Sequence, residues 1–128
     1  MKVHHLGLAC NDIEKEKLNI AKFHNVISVS ETIFDPEQNA SLCYIRLAEG
    51  ISLELISGKQ VENLVKNKIF YYHICYETSE FDKQIKKYVA QGAILMSAPK
   101  PALLFNNRRV AFLYLPYGII ELLEEAAH

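Results

Sequence analysis

Tyr72-His73-Ile74-Cys75-Tyr76-Glu77 opens, and Gly118-Ile119-Ile120-Glu121-Leu122-Leu123-Glu124 closes, a segment that repeats an earlier one. The earlier copy opens on His4-His5-Leu6-Gly7-Leu8-Ala9 and closes on Gly50-Ile51-Ser52-Leu53-Glu54-Leu55-Ile56. Between these ends, Cys43-Tyr44-Ile45-Arg46-Leu47 corresponds to Val110-Ala111-Phe112-Leu113. His5 precedes Glu54 by 49 positions and His73 precedes Glu121 by 48. Each copy thus carries a histidine on its first strand and a glutamate on its last. Self-similarity on this scale governs the fold, and the repeat implies that two histidines and two glutamates are brought together.

Outward from these strands, both copies show the same order of elements. Lys2 to Cys10 alternates as a strand, with His4, Leu6 and Leu8 on one face and Val3, His5, Gly7 and Ala9 on the other. Small residues therefore flank His5 and leave space for an ion and a ligand. Asn11-Asp12 with Glu14 and Glu16 signals a helix start, and Ile13, Leu18, Ala21 and Ile20 supply an apolar stripe to about Phe23. Strands follow at 26–34, 41–48 and 51–57, with a turn at 35–39 and a tight hairpin at Glu49-Gly50. The second copy has a strand at 69–77 and an approximate capping box at Ser79 to Asp82. A helix buries Phe81, Ile85, Tyr88 and Val89 and stops at Gly92, before strands at 93–97, 108–115 and 119–124. The expected architecture is α+β: two β-α-β-β-β modules, 1–58 and 69–125, joined by a linker at 59–68 in a single domain over 1–128. They form a cupped eight-stranded mixed sheet with helices outside.

Composition narrows the functional classes. At 128 residues the chain suits one domain, half its residues are hydrophobic, and the net charge is −1. That balance lacks the concentrated basic face of a nucleic-acid binder. No apolar run is long enough to cross a membrane and no secretory pattern opens the chain, so no membrane partner and a cytoplasmic location are expected. Cys10, Cys43 and Cys75 form no CxxC pair and read as small buried hydrophobes. His4, His24 and His128 read as structural, exposed or terminal, and Glu124 and Glu125 as solvated.

The duplicated order, with His-Leu or His-Ile on both opening strands and Leu-Glu-Leu or Ile-Glu-Leu on both closing ones, resembles the vicinal oxygen chelate superfamily. That group takes in glyoxalases, acyl-CoA epimerases, extradiol dioxygenases and drug-resistance proteins. The resemblance covers nearly the whole chain and implies that His5, Glu54, His73 and Glu121 bind one divalent metal ion inside the cup. It also implies a homodimer. Two imidazoles and two carboxylates suit Zn, Co, Ni, Mn or Fe, and four ligands on one face leave an octahedral ion two positions for adjacent substrate oxygens.

The implied reaction is that of a metal-dependent isomerase or lyase, which abstracts a proton alpha to a carbonyl through a metal-chelated enolate. Glu121 and Glu54 are then the expected catalytic groups. Asn67-Lys68 to Glu77 and Arg109-Val110-Ala111-Phe112-Leu113 look most like methylmalonyl-CoA epimerase, with a small-molecule thioester or alpha-carbonyl compound as substrate. The chain departs from that pattern in having Phe105-Asn106-Asn107-Arg108 where a Gly-rich loop is usual, and Tyr114-Leu115-Pro116 where His-Pro-Lys is usual. Glyoxalase I is the competing reading, and Arg46, Arg108 and Arg109 are candidates for meeting substrate carboxylates or phosphates. A third reading is a non-catalytic binding protein whose tyrosines and phenylalanines line an aromatic pocket.

Overall fold

The computed structural model describes residues 1–127, and His128 lies outside the described residues. The chain runs β1 (Lys2–Ala9), α1 (Ile13–Phe23), β2 (Val26–Val29), β3 (Ile33–Asp35), β4 (Ala40–Leu47), β5 (Ser52–Ser57), α2 (Glu62–Lys66), β6 (Tyr71–Thr78), α3 (Phe81–Ala90), β7 (Ile94–Leu95), β8 (Lys100–Ala102), β9 (Arg108–Leu115) and β10 (Gly118–Glu124). Short 3-10 turns at Lys59–Val61 and Leu103–Phe105 complete it.

The ten strands of the described residues join one mixed sheet, whose main path is β2-β4-β5-β1-β6-β10-β9-β7. β1 pairs in parallel with β5, and β6 in parallel with β10. The antiparallel β1–β6 seam joins the two halves of the chain. The eight expected strands are all on this path, and β3 and β8 are additional. β3 arises because the 26–34 run breaks at Ser30, whose Oγ accepts the Tyr44 backbone N–H at 2.8 Å in place of a ladder partner. β8 lies in the expected loop at 98–107 and pairs with β9.

Helices α1 and α3 cover one face, and α2 packs on the other through Leu64 and Val65. Asp12 caps α1 as expected, accepting from the Lys15 N–H at 3.1 Å. The stripe of α1 is narrower than its sequence suggests: Ile13 and Ile20 are buried, but Leu18 is 68% exposed and Ala21 is also exposed. The capping box at Ser79 does not form. Glu80 is the N-cap without a side-chain bond, and Thr78 Oγ1 instead accepts from the Glu80 N–H. Phe81 and Ile85 of α3 pack on Ala111, Leu113, Leu115, Ile120 and Leu122, while Val89 is exposed.

Strand alternation turns the remaining side chains to the other face. Leu53 and Leu55 of β5 belong to the cluster under α1, so Glu54 faces away from it. Ile120 and Leu122 of β10 belong to the cluster under α3, which leaves Glu121 on that same second face. Asp35, in sequence a plain turn residue, is 1% exposed. It accepts from the N–H groups of Glu37, Gln38 and Leu103 and from Gln38 Nε2. One buried carboxylate thus ties the turn after β3 to the 3-10 turn before β9.

Two bulges in the central seam aim the site. Val3 pairs with Tyr76 and His5 with Cys75, so His4 has no partner residue in β6. Gly7 pairs with His73 and Leu8 with Tyr71, so Tyr72 has none in β1. An extra residue breaks period-two alternation and re-aims the side chains around it. The expected placement of His4 beside Leu6 and Leu8 is therefore incorrect, and its ring lies against His5.

Candidate metal centre

His5 from β1, Glu54 from β5, His73 from β6 and Glu121 from β10 meet at the middle of the second face. Their relative exposures are 0, 1, 5 and 1%. The donor atoms of all four lie within 4.8 Å of one another. Glu121 Oε1 is 3.0 Å from His5 Nε2 and 3.1 Å from His73 Nε2. Glu54 Oε1 is 3.7 Å from His5 Nε2 and 3.9 Å from His73 Nε2. The two ring nitrogens are 3.4 Å apart. All four residues singled out in the sequence are thus brought together.

The position of His73 depends on Gly7. A Cβ built on Gly7 would fall 2.1 Å from His73 Cε1, 2.3 Å from Nδ1 and 2.5 Å from Nε2. The space expected beside His5 is therefore taken up by the imidazole of the second copy.

The donor set fits a divalent cation. Glu54 Oε2, Glu121 Oε1 and His73 Nδ1 are buried with no hydrogen-bond partner, so the close contacts to Glu121 Oε1 lack aligned N–H groups. An uncompensated carboxylate in such a place costs several kcal/mol. Two carboxylates beside neutral imidazoles are cancelled by an ion of charge two. Donors about 2.1 Å from one ion stand roughly 3.0 Å apart at right angles and roughly 3.4 Å apart at tetrahedral angles. The observed contacts of 3.0 to 3.9 Å run from that range to slightly wider.

Without an ion, the electrostatics favour a charged His5. Burial alone would lower its pKa, but the charge of Glu54 and the close approach of Glu121 overcome this and raise it from 6.5 to about 10. Burial likewise opposes ionisation of Glu121, yet contacts with His5 and His73 hold its carboxyl well below the ordinary range. In the ion-free protein, the stability contributed by His5 is fully present below about pH 6.5 and is lost as pH rises through about 10. Uptake of an ion must displace that proton. Apparent affinity for Mn²⁺ or Co²⁺ is therefore expected to rise roughly tenfold per pH unit between pH 7 and 9, with proton release measurable in weakly buffered solution. An affinity that does not change over this range would contradict a protonated His5.

The other sequence candidates fall elsewhere. All three cysteines are buried and free. Burial, with the fields of Glu121 and Glu54, keeps Cys75 a neutral thiol, and burial raises Cys10 to about 12. Arg108 is paired with Glu77 at 2.6 Å and with the backbone oxygens of Phe105 and Glu124. Arg109 forks onto Asp82, reaches Glu124 and lies over Phe81. Both are tied into the protein, Arg108 also lying over the Phe105 ring that stacks on His5, while Arg46 is exposed on β4. His24 is paired with Glu49. Of the aromatic side chains read from the sequence as candidate pocket lining, Phe105 stacks on His5 at 5.3 Å and Tyr72 meets the His73 ring edge-on at 4.5 Å.

Among solved structures, methylmalonyl-CoA epimerase from Mycobacterium tuberculosis is similar at TM-score 0.81 and 17% identity, over 98% of this chain and 89% of that one. A variant of Streptomyces coelicolor methylmalonyl-CoA epimerase, in complex with 2-nitronate-propionyl-CoA, gives 0.75 and 19% over 99% and 96%. Glyoxalase I from Zea mays gives 0.69 and 18%, over all of this chain but 44% of that one. At these identities the likeness is one of fold. No curated protein matches the chain. No helix among the described residues is long and apolar enough to cross a membrane. Residues 4–112 match the family described as the Glyoxalase/Bleomycin resistance protein/Dioxygenase superfamily, and the chain belongs to that superfamily.

Proposed function

We propose that the protein is a divalent-metal-dependent isomerase or lyase that moves a proton alpha to a carbonyl, with epimerisation of an acyl-CoA or similar thioester as the leading reaction. The observation that carries this reading is the convergence of four buried donors, two of them glutamates that each have an oxygen without a partner. The sequence segments 1–58 and 69–125 are taken as the two modules that supply it.

A bound divalent ion would supply Lewis acidity at the substrate carbonyl and make the neighbouring proton easier to remove. His5 and His73 would hold it through Nε2, with Glu121 and Glu54 completing the set. Each glutamate carries two oxygens, so one can meet the ion while the other takes a proton; in Glu54 that second oxygen, Oε2, is buried without a partner. They come from matching strands of the two halves, so they offer one base to each face of a flat intermediate. That arrangement suits epimerisation, because the proton leaves one face and returns to the other. Burial of the donors keeps water from competing for the proton.

A cavity of about 330 Å³ lies one side chain away from His73. Tyr72 and Phe112 form the wall between them, each in ring contact with His73. Its inner lining of Val61, Leu64, Val110 and Ile119 suits a short acyl chain, and Gln38, Gln60, Ser97 and Lys100 provide polar groups for the rest of the molecule. The glyoxalase reading loses support from the arginines, since Arg108 and Arg109 are tied into ion pairs. Edge strands β2 and β7 leave Ile27, Val29, Ile94 and the adjoining Met96 exposed, which suits a homodimer.

The test is a mass-spectrometric screen for solvent deuterium in acyl-CoAs and glutathione hemithioacetals incubated with metal-loaded protein. Incorporation alpha to the thioester supports the leading reading, and incorporation only with hemithioacetals supports the glyoxalase one. Tight binding of small molecules without exchange would contradict both and favour a sequestering protein.

A further inference from the structure

The bulge at His4 puts a second imidazole beside one of the four donors. His4 Nδ1 and His5 Nδ1 are 2.9 Å apart. The His4 ring is held in place: it stacks on Tyr44 at 5.5 Å, meets Phe105 edge-on at 5.1 Å, and its backbone oxygen accepts from the Tyr44 hydroxyl at 3.4 Å. Two imidazole nitrogens at this distance share one proton, since two lone pairs or two N–H groups would repel.

The proton has two candidate owners. If His4 holds it, His5 Nδ1 is the acceptor and a neutral His5 carries its other proton on Nε2, which faces His73 Nε2 and Glu121 Oε1 and is then closed to an ion. If His5 holds it, a neutral His5 presents an Nε2 lone pair to the centre. We propose that His4 is a positioning residue that accepts the His5 Nδ1 proton and so sets His5 Nε2 as an ion ligand. This rests on reading His5 as a ligand. His73 has no such support, because its Nδ1 is buried without a partner and the matching bulge residue, Tyr72, offers it a ring edge contact. The two histidines are thus unequal despite the repeat. His5 is pre-set by a hydrogen-bonding neighbour, whereas the His73 ring is held by packing on Gly7, Tyr72 and Phe112 alone. Such outer partners of ligand histidines commonly change metal affinity by about 10–100-fold.

Two variants separate this role from simple packing. His4→Phe keeps an aromatic ring against Tyr44 and Phe105 but has no acceptor, whereas His4→Gln restores an acceptor oxygen. Co²⁺ affinity, measured by competition with a chelator, is expected to fall about 10–100-fold in His4→Phe at unchanged melting temperature. In His4→Gln it should recover to within a few-fold of the original chain. Nitrogen NMR of the imidazoles is expected to place the shared proton on His5 Nδ1 and to leave His4 Nδ1 unprotonated. The proposal is overturned by His4→Phe binding Co²⁺ normally, by equal losses in both variants, or by the proton residing on His4 Nδ1. If the unaltered protein takes up no Co²⁺, the ligand reading fails and the role of His4 falls with it. Normal uptake that is indifferent to His4 overturns the role of His4 alone.

Discussion

Replacing Glu121 by Gln is expected to lower solvent deuterium exchange into the substrate by roughly 10²–10⁴-fold, the usual cost of losing a positioned general base. The fold should persist, because Gln fills the same volume and the buried neighbours Ile120, Leu122 and Leu123 are untouched. Glu54→Gln separates the two-base arrangement from a one-base one. With one glutamate serving each face, Glu54→Gln stops inversion while exchange continues into the epimer whose proton faces Glu121. With one glutamate serving both faces, exchange and inversion fall together. Metal content measured on each variant distinguishes loss of a base from loss of the ion. Exchange at the original rate in Glu121→Gln would remove it as the base.

Gly7→Ala is the second large effect, and it acts at a residue with no chemistry of its own. The added methyl would sit 2.1 to 2.5 Å from three atoms of the His73 ring, well inside any real contact. His73 cannot yield easily, because Tyr72 and Phe112 flank its ring. Overpacking of this kind costs about 1–3 kcal/mol of stability. Displacing His73 Nε2 should also weaken metal binding by at least about 10–100-fold. Thermal melts and chelator competition read the two effects separately. Metal affinity equal to that of the original chain would show that the ring does not need the space over Gly7.

The parts of this structure that are legible in the sequence are those that repeat. His5, Glu54, His73 and Glu121 recur at nearly equal spacing on strands with strong alternation, so the converging donors follow from the duplication. What alternation cannot show is a register shift, because a bulge is set by the partner strand about seventy residues away. Alternation therefore puts His4 on the wrong face, although its adjacency to His5 is visible. The break at Ser30 depends on a side-chain bond to Tyr44 across the hairpin, which no local propensity encodes. Helical spacing assigns Leu18 to the core, but the buried stripe of α1 is only wide enough for Ile13 and Ile20. Asp35 looks like an ordinary turn residue, and its burial comes from a contact with Leu103 in the other half of the chain. The arginines are readable as charges but not as partners of Glu77, Asp82 and Glu124.

Anomalous diffraction from a crystal soaked in Co²⁺ or Zn²⁺ tests the central claim most directly. One strong peak per chain is expected, about 2.0–2.2 Å from Nε2 of His5 and of His73 and from a carboxylate oxygen of Glu54 and of Glu121. No peak among these four side chains, or one bound elsewhere, would contradict it.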